Sequence, residues 1–105
     1  MIAKTPKTPY YAVIFTSLRT DLDNGYGEAA DQMEVLAKKQ KGYLGIESAR
    51  GDVGITVSYW ESLEAIRSWK NHFEHTLIRN KGREKWYQKF QVRICKVERD
   101  YGFEK

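Results

Sequence analysis

The 105 residues hold one cysteine, two prolines and two histidines, and each scarcity narrows what the chain can be. With Cys95 alone there is no disulfide framework and no paired-cysteine zinc pattern. That usage fits a reducing compartment, so a cytoplasmic location is expected. Both prolines, Pro6 and Pro9, fall within the first nine residues, which read as an extended arm (1–9) ahead of a single domain (10–105). No apolar run approaches the roughly 20 residues needed to cross a bilayer, and the N-terminal stretch is too short and polar for a secretory signal. No membrane partner is expected. A Gly-rich phosphate loop is missing too.

What is present is an ordinary globular composition, 41% hydrophobic and 30% charged, which argues against disorder. The net charge of +4 comes from 18 basic and 14 acidic residues. The basic residues run from Lys4 to Lys105 and are mixed with acids nearly throughout. This is the pattern of a solvated surface, so no nucleic-acid partner is expected.

Tyr10 to Leu18 is rich in aromatic and β-branched residues and reads as a strand with two apolar faces. Arg19 to Gly27 is a loop with turn chemistry at Asp23-Asn24-Gly25. Glu28 to Gln40 has helical spacing, with Ala29, Met33, Leu36 and Ala37 on one stripe. Its acids Glu28 and Asp31 lie near the start and Lys38, Lys39 and Lys41 near the end, as the helix dipole prefers; Gly42 is placed to end it. Tyr43–Arg50 and Val53–Trp60 form a hairpin of strands around Gly51-Asp52. Ser62 caps a second helix carrying Leu63, Ile66 and Trp69. Asn71 followed by Glu74 resembles a fresh cap, which predicts a break near Lys70–Asn71 and a new segment to about Asn80, stopped by Gly82. Trp86 to Tyr101 is a long strand signal, and its change of phase around Cys95-Lys96 predicts a bulge.

The order is β-α-β-β-α-β, an α+β class with the ferredoxin-like arrangement: two helices on one face of a four-stranded antiparallel sheet. The other sheet face carries apolar load that the monomer cannot cover. A second copy is its natural cover, so a homodimer is expected. The RNA-recognition motif shares this order, and Lys41-Gly42-Tyr43 imitates the start of its signature. That signature belongs on the third strand with a second aromatic where this chain has Gly45, and the reading is rejected.

At Lys41-Gly42-Tyr43-Leu44-Gly45-Ile46-Glu47 and Ile55-Thr56-Val57-Ser58-Tyr59-Trp60-Glu61-Ser62, continuing to Trp69, the chain resembles antibiotic-biosynthesis-monooxygenase-like proteins of the dimeric α/β-barrel superfamily and their haem-degrading relatives. The resemblance spans about Tyr10 to Tyr101. It implies a dimeric α/β barrel and, in members that use no metal or flavin, oxidation of an electron-rich substrate held in an apolar pocket. In the haem-degrading branch it implies a helix tryptophan, matched by Trp69, and an iron-ligating histidine ten residues on, where this chain has Arg79. It also implies a first-strand asparagine, where Thr16 or Ser17 stands. With two of the three missing, haem is disfavoured, and no cofactor is expected.

His72 and His75 lie three apart on the second helical segment near Arg79. One of them can carry a proton or bind iron; the alternative is two polar residues facing water. No metal site is expected, since a spacing of three with no cluster of Asp, Glu or Cys nearby in sequence is weak metal evidence. His75 and Trp69 are the catalytic candidates. His72, Arg79, Trp60 and Ser17 are the ligand-binding candidates. Trp60, Trp69 and Trp86 either line an aromatic pocket between helices and sheet or fill the core, with core packing the stronger reading for Trp60 and Trp86. Arg50, Arg93 and Arg99 can neutralise an anionic ligand or pair with acids such as Glu47 and Glu98. Cys95 reads as a small buried residue and not a nucleophile. Two functions follow: a cofactor-independent monooxygenase-like protein acting on a small apolar or aromatic molecule, or a non-catalytic ligand-binding or stress-response homodimer.

Overall fold

A computed structural model describes residues 2–23 and 25–105. Met1 of the expected arm and Asn24 of the expected turn lie outside the described residues. The elements are β1 (Tyr10–Arg19), α1 (Tyr26–Lys38), β2 (Tyr43–Arg50), β3 (Gly54–Trp60), α2 (Leu63–Asn80), a single turn α3 (Gly82–Lys85) and β4 (Tyr87–Val97). The four strands form one antiparallel sheet in the order β2-β3-β1-β4. This is the ferredoxin-like α+β arrangement expected from the strand and helix order.

Register assigns the two sheet faces, because directly opposed residues in an antiparallel pair share a side. Tyr11, Val13, Phe15 and Ser17 stand opposite Trp60, Ser58, Thr56 and Gly54 on β3, and opposite Lys96, Ile94, Val92 and Phe90 on β4. These face the helices. Ala12, Ile14 and Thr16, opposite Tyr59, Val57 and Ile55, form the outer face. Gly42 marks the return from α1 to β2, with a φ of 89° that favours glycine; a Cβ there would lie 2.7 Å from that of Ala65.

Three sequence expectations are corrected. No break occurs at Lys70–Asn71: α2 runs unbroken through 18 residues. Glu74, instead of closing a capping box, lies 3.9 Å from Lys70 as an i,i+4 ion pair. The Thr76 hydroxyl donates to the His72 carbonyl at 3.0 Å, one turn back along the same unbroken helix. The helix ends at Lys81, in the left-handed region at φ 55°, and Gly82 opens α3 instead of acting as the stop. The bulge in the last strand's pairing lies not at Cys95-Lys96 but near Leu18/Arg19, opposite Lys89 and Tyr87. The apparent phase change reflects a strand with apolar residues on both faces: Phe90, Val92 and Ile94 face the helices, while Cys95 and Val97 face out.

The helix-facing core is divided in two. Ala37, Trp60 and Ile66 form one cluster, with Tyr11, Val13, Tyr43 and Trp69 against it. Ala29, Leu77, Trp86 and Tyr87 form the other, with Phe15, Tyr26, Met33, Phe73 and Phe90 packed around them. Trp60 is 0% exposed, its indole N–H donates to Ser58 Oγ at 2.9 Å, and its ring stacks on Trp69 at 6.0 Å. The N-terminal arm docks on the sheet through Glu47, whose carboxylate accepts from the Ala3 amide at 2.9 Å and the Tyr59 hydroxyl at 2.6 Å.

Trp60→Ala should cost about 3–5 kcal/mol of stability, by the usual scale for truncating a buried aromatic, read from urea unfolding followed by circular dichroism. The docked arm should also be pH-bounded. The Tyr59 hydrogen bond, then the Ala3 amide, holds the Glu47 carboxyl below its ordinary 4.5, so its contribution is present above that value and lost as pH falls through the lowered one. Burial, then the bond to Glu47, pushes Tyr59 from 10.0 up to about 12, so its contribution is present below 10.0 and lost as pH rises through about 12. The Ala3 and Gly45 amide resonances should therefore hold steady between these limits and move outside them. A shift centred near neutral pH contradicts this assignment.

Candidate functional site

Between the two core clusters the helices stand off the sheet and leave a cavity of about 590 Å³. Its floor comes from the sheet, through Val13, Phe15, Phe90, Val92 and Ile94, and its roof from α1 and α2, through Met33, Ala37, Ile66, Trp69 and Phe73. Val92 and Ile94 are 43% and 51% exposed although they face the helices, because no helix closes over β4. An apolar cleft of this volume is the size at which proteins bind small organic molecules.

Aromatic rings dominate the lining. Phe15 is the hub: its ring meets Phe73 at 5.3 Å and Tyr87 at 5.6 Å edge-on, and Phe90 at 5.3 Å in a tilted contact. Trp69 meets Phe73 at 6.5 Å. Polar groups are interspersed with them, among them Arg50, Thr56, Ser58 and Glu74. The Tyr87 hydroxyl donates to the Tyr26 hydroxyl at 3.5 Å. Burial, followed by this partner, pushes the Tyr87 phenol above its ordinary value, against the pull of Arg50 and Arg19. Tyr87 therefore stays neutral at physiological pH with its one proton directed at Tyr26, whose own hydroxyl proton is left to donate to a ligand. The Arg19 guanidinium lies 3.4 Å over the Tyr26 ring and bonds the Trp86 and Leu22 carbonyls, so it is committed to the frame.

The structure separates the sequence-predicted site residues. Trp69 is on the cavity wall. Trp60 is wholly buried in the core beneath it. Ser17 is 2% exposed and does not line the cavity, but accepts a hydrogen bond from Arg50, which does. His72 and His75 are exposed and off the cavity, and Arg79 lines a smaller polar recess beside Asn80, Lys81 and Lys85. The reason is helical phase. At roughly 100° per residue, an unbroken α2 puts Ile66, Trp69, Phe73 and Leu77 on one side and His72, His75 and Arg79 on the other. A break at Asn71 would free these two groups from a common phase. Phe15, Phe73, Tyr26 and Tyr87 were missed as lining residues, although Trp69, Phe73 and Leu77 already show the i, i+4, i+8 spacing that would have found one wall.

Haem does not fit the residues present. No histidine reaches the cavity, and among the described residues no group of three or more His, Cys, Asp or Glu could hold a metal ion. Among the described residues, no helix is long and apolar enough to cross a membrane.

Comparison with known proteins places this geometry. No family model matches the chain. A Bacillus subtilis (strain 168) protein, the uncharacterised protein YqjZ, is 50% identical over 105 residues, covering 98% of this chain and 92% of its own. The chain belongs to the YqjZ family. Solved structures share the fold at much lower identity. SnoaB, a cofactor-independent oxygenase from Streptomyces nogalater, superposes with a TM-score of 0.71 at 8% identity, covering 89% of this chain and 97% of its own. Rv0793 from Mycobacterium tuberculosis gives 0.71 at 15% identity over 91% and 100%. A candidate antibiotic biosynthesis monooxygenase from Nitrosomonas europaea gives 0.65 at 11% over 88% and 92%. The architecture of this YqjZ relative is thus the antibiotic-biosynthesis-monooxygenase-like fold, as the sequence resemblance implied.

Binding of a neutral fluorescent ring system, 1-aminoanthracene, separates the two sides of α2. Trp69→Ala should weaken it by roughly 3- to 10-fold, the scale of one lost aromatic contact. His72→Ala and His75→Ala should leave it unchanged. Loss of binding in either histidine variant, with Trp69→Ala silent, contradicts the assignment of the cavity face.

Proposed function

We propose that the protein binds a small, largely aromatic molecule between its helices and its sheet and oxidises it with molecular oxygen without a cofactor. The observation that carries this is the cavity of about 590 Å³ walled by Phe15, Trp69, Phe73 and Phe90. The shared fold with a cofactor-independent oxygenase supports the chemistry. In such a reaction an activated methylene group of an electron-rich polycyclic phenol supplies the electrons. The methylene loses both hydrogens and gains one oxygen atom to become a ketone carbonyl, and the second atom of molecular oxygen leaves as water. The protein's part is to hold the ring, exclude water and place hydrogen-bond donors such as the Tyr26 hydroxyl, which accepts from Tyr87 and keeps its own proton, against the substrate's oxygen atoms.

A second reading, a binder without chemistry, has one observation in its favour. The cavity holds no imidazole, and of its rim carboxylates Glu34 and Glu74 lie near Lys38 and Lys70 at 3.6 and 3.9 Å. A proton acceptor for the methylene is therefore not built in as a buried, dedicated base.

Both readings take the protein as a homodimer. The outer sheet face presents Ile14, Ile55, Val57 and Val97, and residues 98–105 lead away from it carrying Tyr101 and Phe103, 100% and 90% exposed. Apolar surface of this kind favours a covering partner, and a second copy supplies the matching face by two-fold symmetry. Light scattering should give twice the mass of one chain, and Tyr101→Ser with Phe103→Ser should shift it towards the monomer.

The activity is tested with an oxygen electrode and a hydroxyanthrone as the electron-rich probe. The monooxygenase reading predicts saturable, protein-dependent uptake of one oxygen molecule per probe, insensitive to chelators and slowed in Trp69→Ala. Binding of the probe with no acceleration above the protein-free rate leaves the non-catalytic reading standing.

A further inference from the structure

One row across the sheet has an arrangement that neither the fold nor its aromatic lining requires. Arg50 on β2, Gly54 on β3, Ser17 on β1 and Phe90 on β4 stand opposite one another on the helix-facing side. Arg50 is exposed on its edge strand, yet its guanidinium turns back over the sheet. Its side chain lies inward across β3, and its Nη2 donates to the Ser17 hydroxyl, two strands away, at 2.6 Å. Gly54 makes this crossing possible. A Cβ there would fall 2.0 Å from Arg50 Nη2 and 2.1 Å from its Cζ. At the far end of the row the Arg83 guanidinium sits 5.9 Å over the Phe90 ring.

A guanidinium carries five donors and keeps its charge at all working pH values. One bond to Ser17 uses one of them. Among the described residues no carboxylate lies within ion-pair distance of Arg50; the sequence-suggested partner Glu47 is on the outer face, bound to Tyr59 and Ala3. Arg93, the other strand arginine weighed as an anion partner, faces outward opposite Ile14, and Arg99 lies in the exposed tail. Arg50 alone of the three lines the cavity. The remaining charged groups on its wall are Asp31, Glu34, Lys70, Glu74 and Arg83. Glu34 and Glu74 already have lysine neighbours, which leaves Asp31 as the one acid of the wall set against two guanidinium groups.

We propose that the cavity selects aromatic molecules bearing a carboxylate, with Arg50 as the residue that pairs with it. This rests on the reading of the cavity as an aromatic-binding site and adds its ligand class. A planar carboxylate matches the guanidinium fork with two parallel hydrogen bonds, while the ring system extends over Phe15 towards Trp69 and Phe73. Ser17 and Gly54 act on the ligand through Arg50, one by anchoring the guanidinium and one by leaving it room. Both are positioning residues.

The test compares 2-naphthoate with its neutral analogue 2-naphthamide, titrated by fluorescence at pH 7.5 into wild-type protein, Arg50→Gln and Gly54→Ala. Wild type should bind the acid about tenfold or more tighter than the amide, the scale of a charge-assisted hydrogen bond. Arg50→Gln should abolish that preference while keeping amide binding. Gly54→Ala should do the same, because a methyl there displaces the end of a flexible side chain and leaves the backbone undisturbed. Equal wild-type affinities, or a preference that survives in Arg50→Gln, overturns the carboxylate assignment and leaves the aromatic cavity intact. Failure of both probes to bind wild type overturns the cavity reading together with it.

Discussion

Trp60 with Ala37 and Ile66 at one end, and Leu77 with Trp86 and Tyr87 at the other, act as two supports under the helix layer, and the ligand cavity is the span between them. A domain of this size has little core to spare, and dividing it lowers the apolar area buried in the monomer. Large rings contribute most of each support: Trp60 in one, Trp86 and Tyr87 in the other. Phe15, Trp69 and Phe73 then lie between the supports as cavity wall. They are half-buried for the same reason that Val92 and Ile94 are exposed: the helices stand off this part of the sheet and leave the Val92–Ile94 stretch of β4 open.

The polar side of the cavity follows from the same geometry. Where the helices stand off, a side chain from an edge strand has room to lie inward across the sheet, and Arg50 does so over Gly54. The neighbouring phenols Tyr87 and Tyr26 share a hydrogen bond, and burial keeps Tyr87 protonated. The site therefore combines an aromatic surface with donors held in place by their neighbours, an arrangement that orients a flat molecule as well as retaining it.

Much of this was legible in the residues. The aromatic and β-branched run Tyr10–Leu18, the stripe Ala29–Met33–Ala37 and the hairpin around Gly51-Asp52 give the element order directly, and that order gives the sheet. The candidate site was less legible, and one local feature explains most of it. Asn71 and Glu74 have the spacing of a helix start, but a capping pattern inside a helix already propagating from Ser62 gains nothing by breaking four or more backbone hydrogen bonds. Once the break is removed, His72 and His75 rotate away from Trp69. Ser17 illustrates a different limit: its correspondence with a family asparagine points to direct ligand contact, whereas it is buried and works through Arg50. A long side chain crossing a neighbouring strand leaves no trace in local sequence pattern, and neither does the empty space between two core clusters.

The location of a bound ring system tests the central claim most directly. Intermolecular nuclear Overhauser effects from 1-aminoanthracene, at saturating concentration, should reach the methyl groups of both Met33 and Ile94, which face the cavity from opposite walls. Contacts confined to the methyl groups of Val57 and Val97, on the outer face of the sheet, would contradict the account.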